Sequence, residues 1–237
     1  GRKLFKGDER KIEEYVMASM SRIQSSTKLN DALKISDLVI EAIIENLNEK
    51  QKLFADIDKI AKSTAIFASN TSSLPINQIA KFSTRLDRFC GLHFFNPVPV
   101  MKLLEVIRIP QTTDFTYEAV LAFGKKIGKV CVTCKDSPGF IVNRLLNPYM
   151  AEAIRMLERG DASAKDIDIA MKLGLGHPMG PFELTDLIGI DTARNVRQFY
   201  HEVFPENPQY EPSYLLDKMV KDGKLGVKSG EGFYKYK

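Results

Sequence analysis

The chain has 237 residues, of which 44% are hydrophobic and 27% are charged, the proportions of a folded globular protein. Lys and Arg number 34 against 30 Asp and Glu, and the resulting net charge of +4 is spread along the chain. This charge would suit an anionic small ligand but does not indicate a nucleic-acid-binding protein, and no apolar run approaches the length of a membrane span.

The predicted elements of the first half alternate between helix and strand. Residues 9–23 carry apolar side chains at helical spacing. Residues 37–44 form a β-branched run, interrupted by Glu41, that predicts a buried parallel strand. Asn46 and Glu49, three residues apart, predict a capping box at the start of the next helix.

Four further strands and one helix complete this half. The strands are predicted at 64–69, 88–94, 102–109 and 129–133, and the helix at 116–127. Strands that alternate with helices predict an α/β fold with a mostly parallel, doubly wound sheet.

Helical periodicity predominates after the Asp-Ser-Pro-Gly segment at 136–139. One apolar stripe comprises Val142, Leu145, Leu146, Met150, Ile154 and Leu157. Pro148 lies inside that helix and predicts a kink, because it removes the hydrogen bond to the carbonyl of Arg144. We therefore expect two domains, an α/β domain at 1–136 and an all-helical domain at 137–237.

The expected start of the α/β domain is missing from the sequence. A doubly wound nucleotide-binding domain normally begins with a strand, a Gly-rich turn and a helix whose N-terminus holds the pyrophosphate. No G-x-G-x-x-G sequence occurs here, and the Gly-rich segment at 174–180 has the wrong spacing and follows a helix. We expect the N-terminal unit to be absent, in which case the chain by itself would bind a dinucleotide weakly and have negligible activity.

The cysteines indicate a reducing compartment, because Cys90, Cys131 and Cys134 are too few and odd in number for a disulfide framework. Cys131 and Cys134 have the spacing of a redox motif, but residues three apart on a strand point to opposite faces. Both are therefore interpreted as structural. The three histidines lack the spacing of metal ligands, so no metal site is predicted.

Polar residues cluster where the predicted strands end, the edge at which open α/β sheets bind their ligands. Asn70 and Ser72 follow the second predicted strand, and His93 ends the third. Glu105 lies in the fourth strand, and Asn143 begins the first helix of the second domain. A histidine beside a carboxylate is a common base for oxidising an alcohol, because the carboxylate fixes the tautomer and stabilises the imidazolium.

Each of these residues also has an ordinary structural interpretation. A histidine at a strand end is more often a packed residue than a base, and Glu105 could be a simple salt-bridge partner. Asn70 and Ser72 are common turn formers and helix caps. Asn143 could lie on a polar surface. The residue types alone leave the catalytic and the structural interpretations open.

Five segments resemble the signatures of the L-3-hydroxyacyl-CoA dehydrogenase family, and in particular its animal mitochondrial type. They are 68–74 (ASNTSSL), 91–106 (GLHFFNPVPVMKLLEV), 136–146 (DSPGFIVNRLL), 178–184 (PMGPFEL) and 230–236 (GEGFYKY). The resemblance runs over the whole chain, and segments this long in this order are specific. It implies a Rossmann-type NAD-binding domain followed by a helical domain that forms most of a homodimer contact.

The resemblance also implies roles for individual residues. His93 corresponds to the catalytic base and Glu105 to its paired carboxylate, while Ser72 and Asn143 correspond to residues that hold the substrate's 3-oxygen. The positions that touch the nicotinamide end of NAD are Glu45, Lys50, Asn70 and Ser72. Lys3 falls where the family places a basic residue on the coenzyme A phosphates.

The implied activity is hydride transfer from C3 of L-3-hydroxyacyl-CoA to NAD, giving 3-ketoacyl-CoA in fatty acid β-oxidation in the mitochondrial matrix. Two alternatives are a dehydrogenase of the same fold acting on another hydroxy acid and a non-catalytic protein that reuses the fold. The complete set of Ser72, His93, Glu105 and Asn143 favours an enzyme acting on a CoA ester.

Overall fold

The computed structural model describes residues 5–236, so Lys3, the expected coenzyme A contact, lies outside the described residues. The chain divides into two compact units, the first ending at Pro138 and the second beginning at Gly139. Each unit contains its own cluster of buried apolar side chains.

The first unit is built on a five-stranded sheet in the order β1-β2-β3-β4-β5. The strands are β1 (Leu38–Glu41), β2 (Ile66–Ser69), β3 (Phe89–Phe94), β4 (Leu103–Arg108) and β5 (Val130–Lys135). Neighbouring strands run parallel except for β3 and β4, which are antiparallel. The predicted α/β fold with a mostly parallel sheet is confirmed.

Helices precede β1 and separate β1 from β2, β2 from β3 and β4 from β5. They are α1 (Glu9–Met20), α2 (Leu29–Leu33), α3 (Leu47–Ile60), α4 (Ile76–Ile79) and α5 (Asp114–Lys126). The predicted capping box of α3 is half formed. Asn46 Oδ1 accepts the N–H of Glu49 at 3.2 Å, but the N–H of Asn46 donates to the carbonyl of Ile44.

The first strand is shorter than the sequence predicted. The apolar run continues to Ile44, yet β1 ends at Glu41. The carboxylate of Glu41 accepts the N–H of Ile43 at 2.7 Å, so the chain turns there instead of extending the sheet. Apolar content alone did not reveal this turn, because the residues before and after Glu41 are equally apolar.

One buried cluster of the first unit lies between the sheet and α5. Its buried members are Ile66, Ala68, Cys90, Leu92, Leu104, Val106 and Val120. Gly124 of α5 lies so close to the sheet that an added Cβ would overlap the sulfur of Cys131. Cys131 is thus a packing residue, and Cys134, three residues along the same strand, points to the opposite face.

The described part of the second unit contains five α-helices. They are α6 (Val142–Arg159), α7 (Ala164–Leu175), α8 (Pro181–Ile188), α9 (Ile190–Val203) and α10 (Tyr214–Lys221). Gly160 and Gly176 end α6 and α7 in the left-handed conformation, with φ of 76° and 71°, which glycine adopts without steric cost. Among the described residues, no helix is both long and apolar enough to cross a membrane.

Two buried aspartates, Asp168 and Asp186, connect residues 233–236 to these helices through hydrogen bonds. Asp168 accepts two backbone N–H groups at the start of α8 and the hydroxyl of Tyr234 at 2.6 Å. Asp186 accepts the N–H groups of Phe233 and Tyr234 at 2.9 and 3.0 Å. It also accepts the hydroxyl of Tyr236 at 2.8 Å. Burial, together with these bonds to carboxylates, raises the pKa of both tyrosines.

Candidate active site

Three parallel strands place polar residues at one edge of the sheet. Because β1, β2 and β3 run in the same direction, their carboxyl ends lie side by side. Glu41 and Ser69 are paired residues at the ends of β1 and β2, and His93 is the next-to-last residue of β3. Ligands of open α/β sheets bind outside such carboxyl ends. This edge of the first unit is therefore the candidate active site.

His93 and Glu105 lie directly opposite each other on the antiparallel strands β3 and β4. His93 Nδ1 lies 2.7 Å from Glu105 Oε2. Their side chains are 6% and 0% exposed, so the pair is shielded from water. The ring of Phe95 packs on the imidazole, with the ring centroids 4.5 Å apart. The imidazole is thus fixed by a carboxylate on one side and an aromatic ring on another.

This contact determines what the imidazole can do. A carboxylate accepts hydrogen bonds, so Nδ1 carries the proton in the neutral ring and Nε2 holds the lone pair. A proton taken up at Nε2 creates an imidazolium, which the carboxylate stabilises through a charge-assisted hydrogen bond. The geometry suits a general base whose second nitrogen is held in one tautomer.

Asn70 connects the ends of β1 and β3. Its N–H donates to the carbonyl of Glu41 at 2.8 Å, and its Oδ1 accepts the N–H of Phe94 at 2.8 Å. Phe94 follows His93 directly, so the Asn70 side chain fixes the backbone next to the imidazole. This contact gives Asn70 a structural role in addition to the cofactor contact that the resemblance implied.

Glu45 accepts three hydrogen bonds from the turn that follows β2. Its Oε1 accepts the hydroxyl of Thr71, the N–H of Ser72 at 3.1 Å and the hydroxyl of Ser73 at 3.2 Å. Burial raises the pKa of the Glu45 carboxyl, but the Thr71 hydrogen bond and the charge of Lys50 outweigh it, so the pKa lies below its usual value. Glu45 is therefore an anion that organises residues 70–73, which we call the Ser72 loop.

Lys50 is buried between two carboxylates, although the resemblance placed it at the cofactor. Its Nζ lies 2.6 Å from Glu41 Oε1 and 3.2 Å from Glu45 Oε2, and it donates to the carbonyl of Ile43 at 3.3 Å. The Lys50 and Glu41 side chains are 1% and 0% exposed, whereas that of Glu45 is 40% exposed. Of these three charged groups, only Glu45 is accessible to a ligand.

The remaining predicted residues lie in different places. Ser72 is exposed in the Ser72 loop. Asn143 is the second residue of α6 in the second unit and is half-buried there. Lys3 lies outside the described residues.

Sequence reasoning missed two carboxylates that organise this edge. Glu41 was noted only as an interruption of an apolar run, although a charge in a buried strand is itself a signal that a partner exists. Asp136, at the end of β5, accepts the N–H groups of Ile76 and Asn77 at 2.9 and 2.8 Å. It thereby caps α4, which follows the Ser72 loop, across 60 residues of sequence.

Two family models together match nearly the whole chain. The model described as 3-hydroxyacyl-CoA dehydrogenase, NAD binding domain, matches residues 3–137. The model described as 3-hydroxyacyl-CoA dehydrogenase, C-terminal domain, matches residues 139–236.

Individual relatives agree with these models. The chain is 57% identical over 225 residues to the mitochondrial hydroxyacyl-coenzyme A dehydrogenase of Homo sapiens, covering 95% of this chain and 72% of the human protein. The Rattus norvegicus protein of the same name is 54% identical over 236 residues, covering 100% of this chain and 75% of the rat protein. Among solved structures, (S)-3-hydroxybutyryl-CoA dehydrogenase PaaH1 from Ralstonia eutropha is 48% identical with a TM-score of 0.87, covering 93% of this chain and 77% of that one.

Proposed function

The chain belongs to the 3-hydroxyacyl-CoA dehydrogenase family, and we propose that it oxidises the C3 alcohol of an L-3-hydroxyacyl-CoA to the ketone with NAD, as a step of fatty acid β-oxidation. The observation that carries the proposal is the buried contact of His93 Nδ1 with Glu105 Oε2 at 2.7 Å. That contact leaves Nε2 as the basic atom, which the oxidation of an alcohol requires.

In the proposed mechanism, His93 Nε2 removes the proton of the 3-hydroxyl group as C3 loses its hydride. NAD, when bound, supplies the hydride acceptor. Glu105 stabilises the imidazolium that forms on His93, and in the reverse direction the imidazolium returns the proton to the ketone oxygen. Ser72 and Asn143 hold the 3-oxygen by hydrogen bonds, which orients C3 for reaction.

The accessible groups at the sheet edge fit the nicotinamide end of NAD. The Glu45 carboxylate is ionised and 40% exposed, so it can accept hydrogen bonds from ribose hydroxyls. We assign Glu45 and Ser72 to direct contact with this end of NAD, supported by Lys50 and Asn70. Lys3 keeps the role on the coenzyme A phosphates that the resemblance gives it.

The test is NADH formation from 3-hydroxybutyryl-CoA, followed by absorbance, in wild-type and His93→Gln proteins that carry a Gly-rich strand–turn–helix unit before the chain. Glutamine has a similar size but no basic nitrogen, so we expect kcat to fall by about 10²–10⁴-fold with a smaller change in KM. His201→Gln, the same change in α9, is the matched control. Wild-type-like turnover in His93→Gln would refute the assignment.

Two further arms separate the alternatives. Turnover of free 3-hydroxybutyrate in preference to its CoA ester would indicate a dehydrogenase of another hydroxy acid. The wild-type assay is also run on the chain without the added Gly-rich unit. Activity only in the longer protein would support the dehydrogenase and the need for a pyrophosphate-binding turn. NAD binding without turnover in the longer protein would favour a non-catalytic role.

We also propose that the second unit forms a homodimer. Support comes from α7, where Ile169 and Leu173, one helical turn apart, are 39% and 83% exposed, and Leu175 is 67% exposed. Apolar side chains this exposed on one helix are typical of an interface. Leu173→Glu should convert a dimer to a monomer in analytical ultracentrifugation, and an unchanged mass would reject this surface.

The proposed location is the mitochondrial matrix, on the strength of the names of the human and rat relatives. Fractionation of mitochondria from cells that express the full-length protein would test it. Recovery with the soluble matrix marker is the expected result, and recovery in the cytosol would contradict it.

A further inference from the structure

We propose that Tyr200 and Phe204, at the end of α9, are positioning residues that hold Asn143 in its reactive orientation. Both side chains contact the turn formed by residues 139–144, which we call the Asn143 turn. The inference rests on the proposed function, because that function assigns the substrate's 3-oxygen to Asn143. It adds two aromatic residues that act on the reaction through Asn143.

The Asn143 turn has an unusual backbone conformation. Gly139 and Phe140 both have positive φ, 79° and 52°. This conformation is routine for glycine but strained for phenylalanine, and strained residues persist only where surrounding contacts determine the backbone. The N–H of Arg144 donates to the carbonyl of Gly139 at 2.9 Å, so the turn closes around Asn143. Contacts at the two ends of the turn should therefore decide how the amide of Asn143 is presented.

Tyr200 contacts the first residue of the turn. Its side chain is buried, and a Cβ added to Gly139 would overlap its hydroxyl oxygen and lie 3.1 Å from its ring carbon Cζ. The tyrosine thus occupies the space in which any residue other than glycine would place its side chain. Because the backbone of Gly139 lies directly against this hydroxyl, Tyr200 fixes the point from which the chain enters α6.

Phe204 contacts the last residue of the turn. Arg144 Cζ lies 4.2 Å from the centroid of the Phe204 ring, which is a cation–π contact. The planar guanidinium group of arginine stacks on aromatic faces in a defined orientation. Since Arg144 directly follows Asn143, this contact holds the chain on the other side of the amide.

The two aromatic side chains are themselves held in place. Tyr200 and Phe204 are four residues apart, and their ring centroids lie 6.1 Å from each other. The buried ring of Tyr210 packs on both, with centroid distances of 5.1 and 5.8 Å. Aromatic pairs at these distances attract each other beyond the gain from burial. The cluster is therefore a firm support for the turn, and a displacement of about 1 Å in a group that orients the substrate costs up to about 10²-fold in rate.

The first experiment measures hydrogen exchange by mass spectrometry, which requires no catalytic turnover. Phe204→Leu removes the ring from Arg144, and Phe233→Leu makes the same change at a half-buried ring that packs on Phe182. We expect the Asn143 turn to exchange at least about fivefold faster in Phe204→Leu, with α7 unchanged and the control like wild type. Unchanged exchange in the turn, or equal acceleration throughout the second unit, would overturn the proposal.

The second experiment compares two glycines in the protein that carries the added Gly-rich unit. Gly139→Ala and Gly160→Ala place a methyl group on a left-handed backbone, with φ of 79° and 76°. A Cβ at Gly160 meets nothing within 4 Å, so that variant has the backbone strain without displacing the turn. We expect kcat to fall about 10–100-fold in Gly139→Ala, with KM within about threefold, and to change less than about twofold in Gly160→Ala.

Tyr200→Phe should partly repair the Gly139→Ala protein. It removes the hydroxyl that the added Cβ would overlap and leaves the aromatic ring in place. We expect kcat of the double variant to exceed that of Gly139→Ala by at least about fivefold. General destabilisation predicts the opposite, because the losses from two substitutions would accumulate.

A double-mutant cycle with Asn143→Ala tests the route to the reaction. Phe204→Leu should lower kcat about tenfold when Asn143 is present. It should lower kcat by less than about twofold in the Asn143→Ala protein, because the group through which it acts is already removed. Thermal unfolding of Phe204→Leu and Phe233→Leu shows whether a similar loss of stability leaves kcat unchanged in the control.

Two kinetic results would overturn the proposal. One is the absence of any recovery of kcat when Tyr200→Phe is added to Gly139→Ala. The other is a fully multiplicative loss in the cycle with Asn143→Ala, which would make Phe204 independent of Asn143. If Gly139→Ala does not fold, the cycle with Asn143→Ala decides. If the wild-type protein with the added unit oxidises no CoA ester, the proposed function fails, and the exchange experiment alone decides whether α9 holds the turn.

Discussion

His93 and Glu105 face each other across the only antiparallel pair of strands in the described sheet, with Nδ1 and Oε2 2.7 Å apart. Direct cross-strand register places the two side chains on the same face of the sheet. The antiparallel pairing of β3 with β4 therefore also sets the distance between the proposed base and its carboxylate.

The Glu105→Gln variant removes the negative charge of this side chain and keeps its size and shape. We expect kcat to fall by about 10²–10³-fold with KM within about threefold, because a neutral amide cannot stabilise an imidazolium and can select the other tautomer. Steady-state kinetics measure this loss, and thermal unfolding tests whether the fold is retained. A variant with normal kcat would remove Glu105 from the mechanism.

Asp136 should contribute to stability through α4. Asp136→Asn keeps one acceptor but turns an amide N–H₂ group towards the N–H of Ile76 or Asn77. We expect a loss of about 1–2 kcal/mol in the free energy of unfolding, measured with urea. Asp31→Asn, at an exposed site in α2, is the control, and equal losses in the two variants would contradict the capping role.

Asp58 should give the first unit a pH-dependent stability. Burial raises its pKa, but bonds from the Thr84 N–H and from Arg85 outweigh burial and lower the pKa. A carboxyl whose folded pKa is depressed stabilises the protein above its unfolded pKa of about 3.9, and that contribution is lost as the pH falls through the folded pKa.

Asp58→Asn tests this expectation. The variant should lose about 2–4 kcal/mol of unfolding free energy near neutral pH, and the difference from wild type should shrink below about pH 4. Urea titrations across this range measure the difference. Asp56→Asn, which breaks an exposed pair with Lys59 on the same helix, is the control and should change little at any pH. A pH-independent difference for Asp58→Asn would contradict the prediction.

The thiols should be poorly reactive in the folded protein. Burial raises the pKa of Cys90 to about 12. Burial and the charges of Glu105 and Asp136 raise the pKa of Cys134 to about 11. Near pH 8 only on the order of one Cys134 thiol in a thousand is then the reactive thiolate. Alkylation followed by mass spectrometry should be far slower in buffer than in urea, and fast labelling of Cys134 in the folded state would be inconsistent with this environment.

The sequence predicted the sheet well because its strands are short β-branched or apolar runs between turns. It also predicted that His93 and Glu105 could form a pair, since they are separated by one strand crossing. The direction of β4 did not follow from periodicity, which is the same in parallel and antiparallel strands.

The contacts among Glu41, Glu45 and Lys50 could not be predicted from sequence patterns for a different reason. Glu45 and Lys50 were singled out by resemblance, but their contacts depend on how α3 returns to the ends of β1 and β2. Ser69 and Glu41 are 28 residues apart in the chain, and Asp136 and Ile76 are 60 apart. Contacts this distant come from topology, which helical and strand periodicities do not encode.

The fastening of residues 233–236 by Asp168 and Asp186 also has a consequence for the order of events during synthesis. Both carboxylates belong to helices that leave the ribosome well before Tyr234 and Tyr236 do. Until residues 233–236 emerge, the two carboxyl groups lack some of their hydrogen-bond donors, and burying them is costly. The second unit is therefore expected to close only after residues 233–236 have been synthesised, so a nascent chain stalled at Gly230 should remain protease-sensitive from α7 to α10.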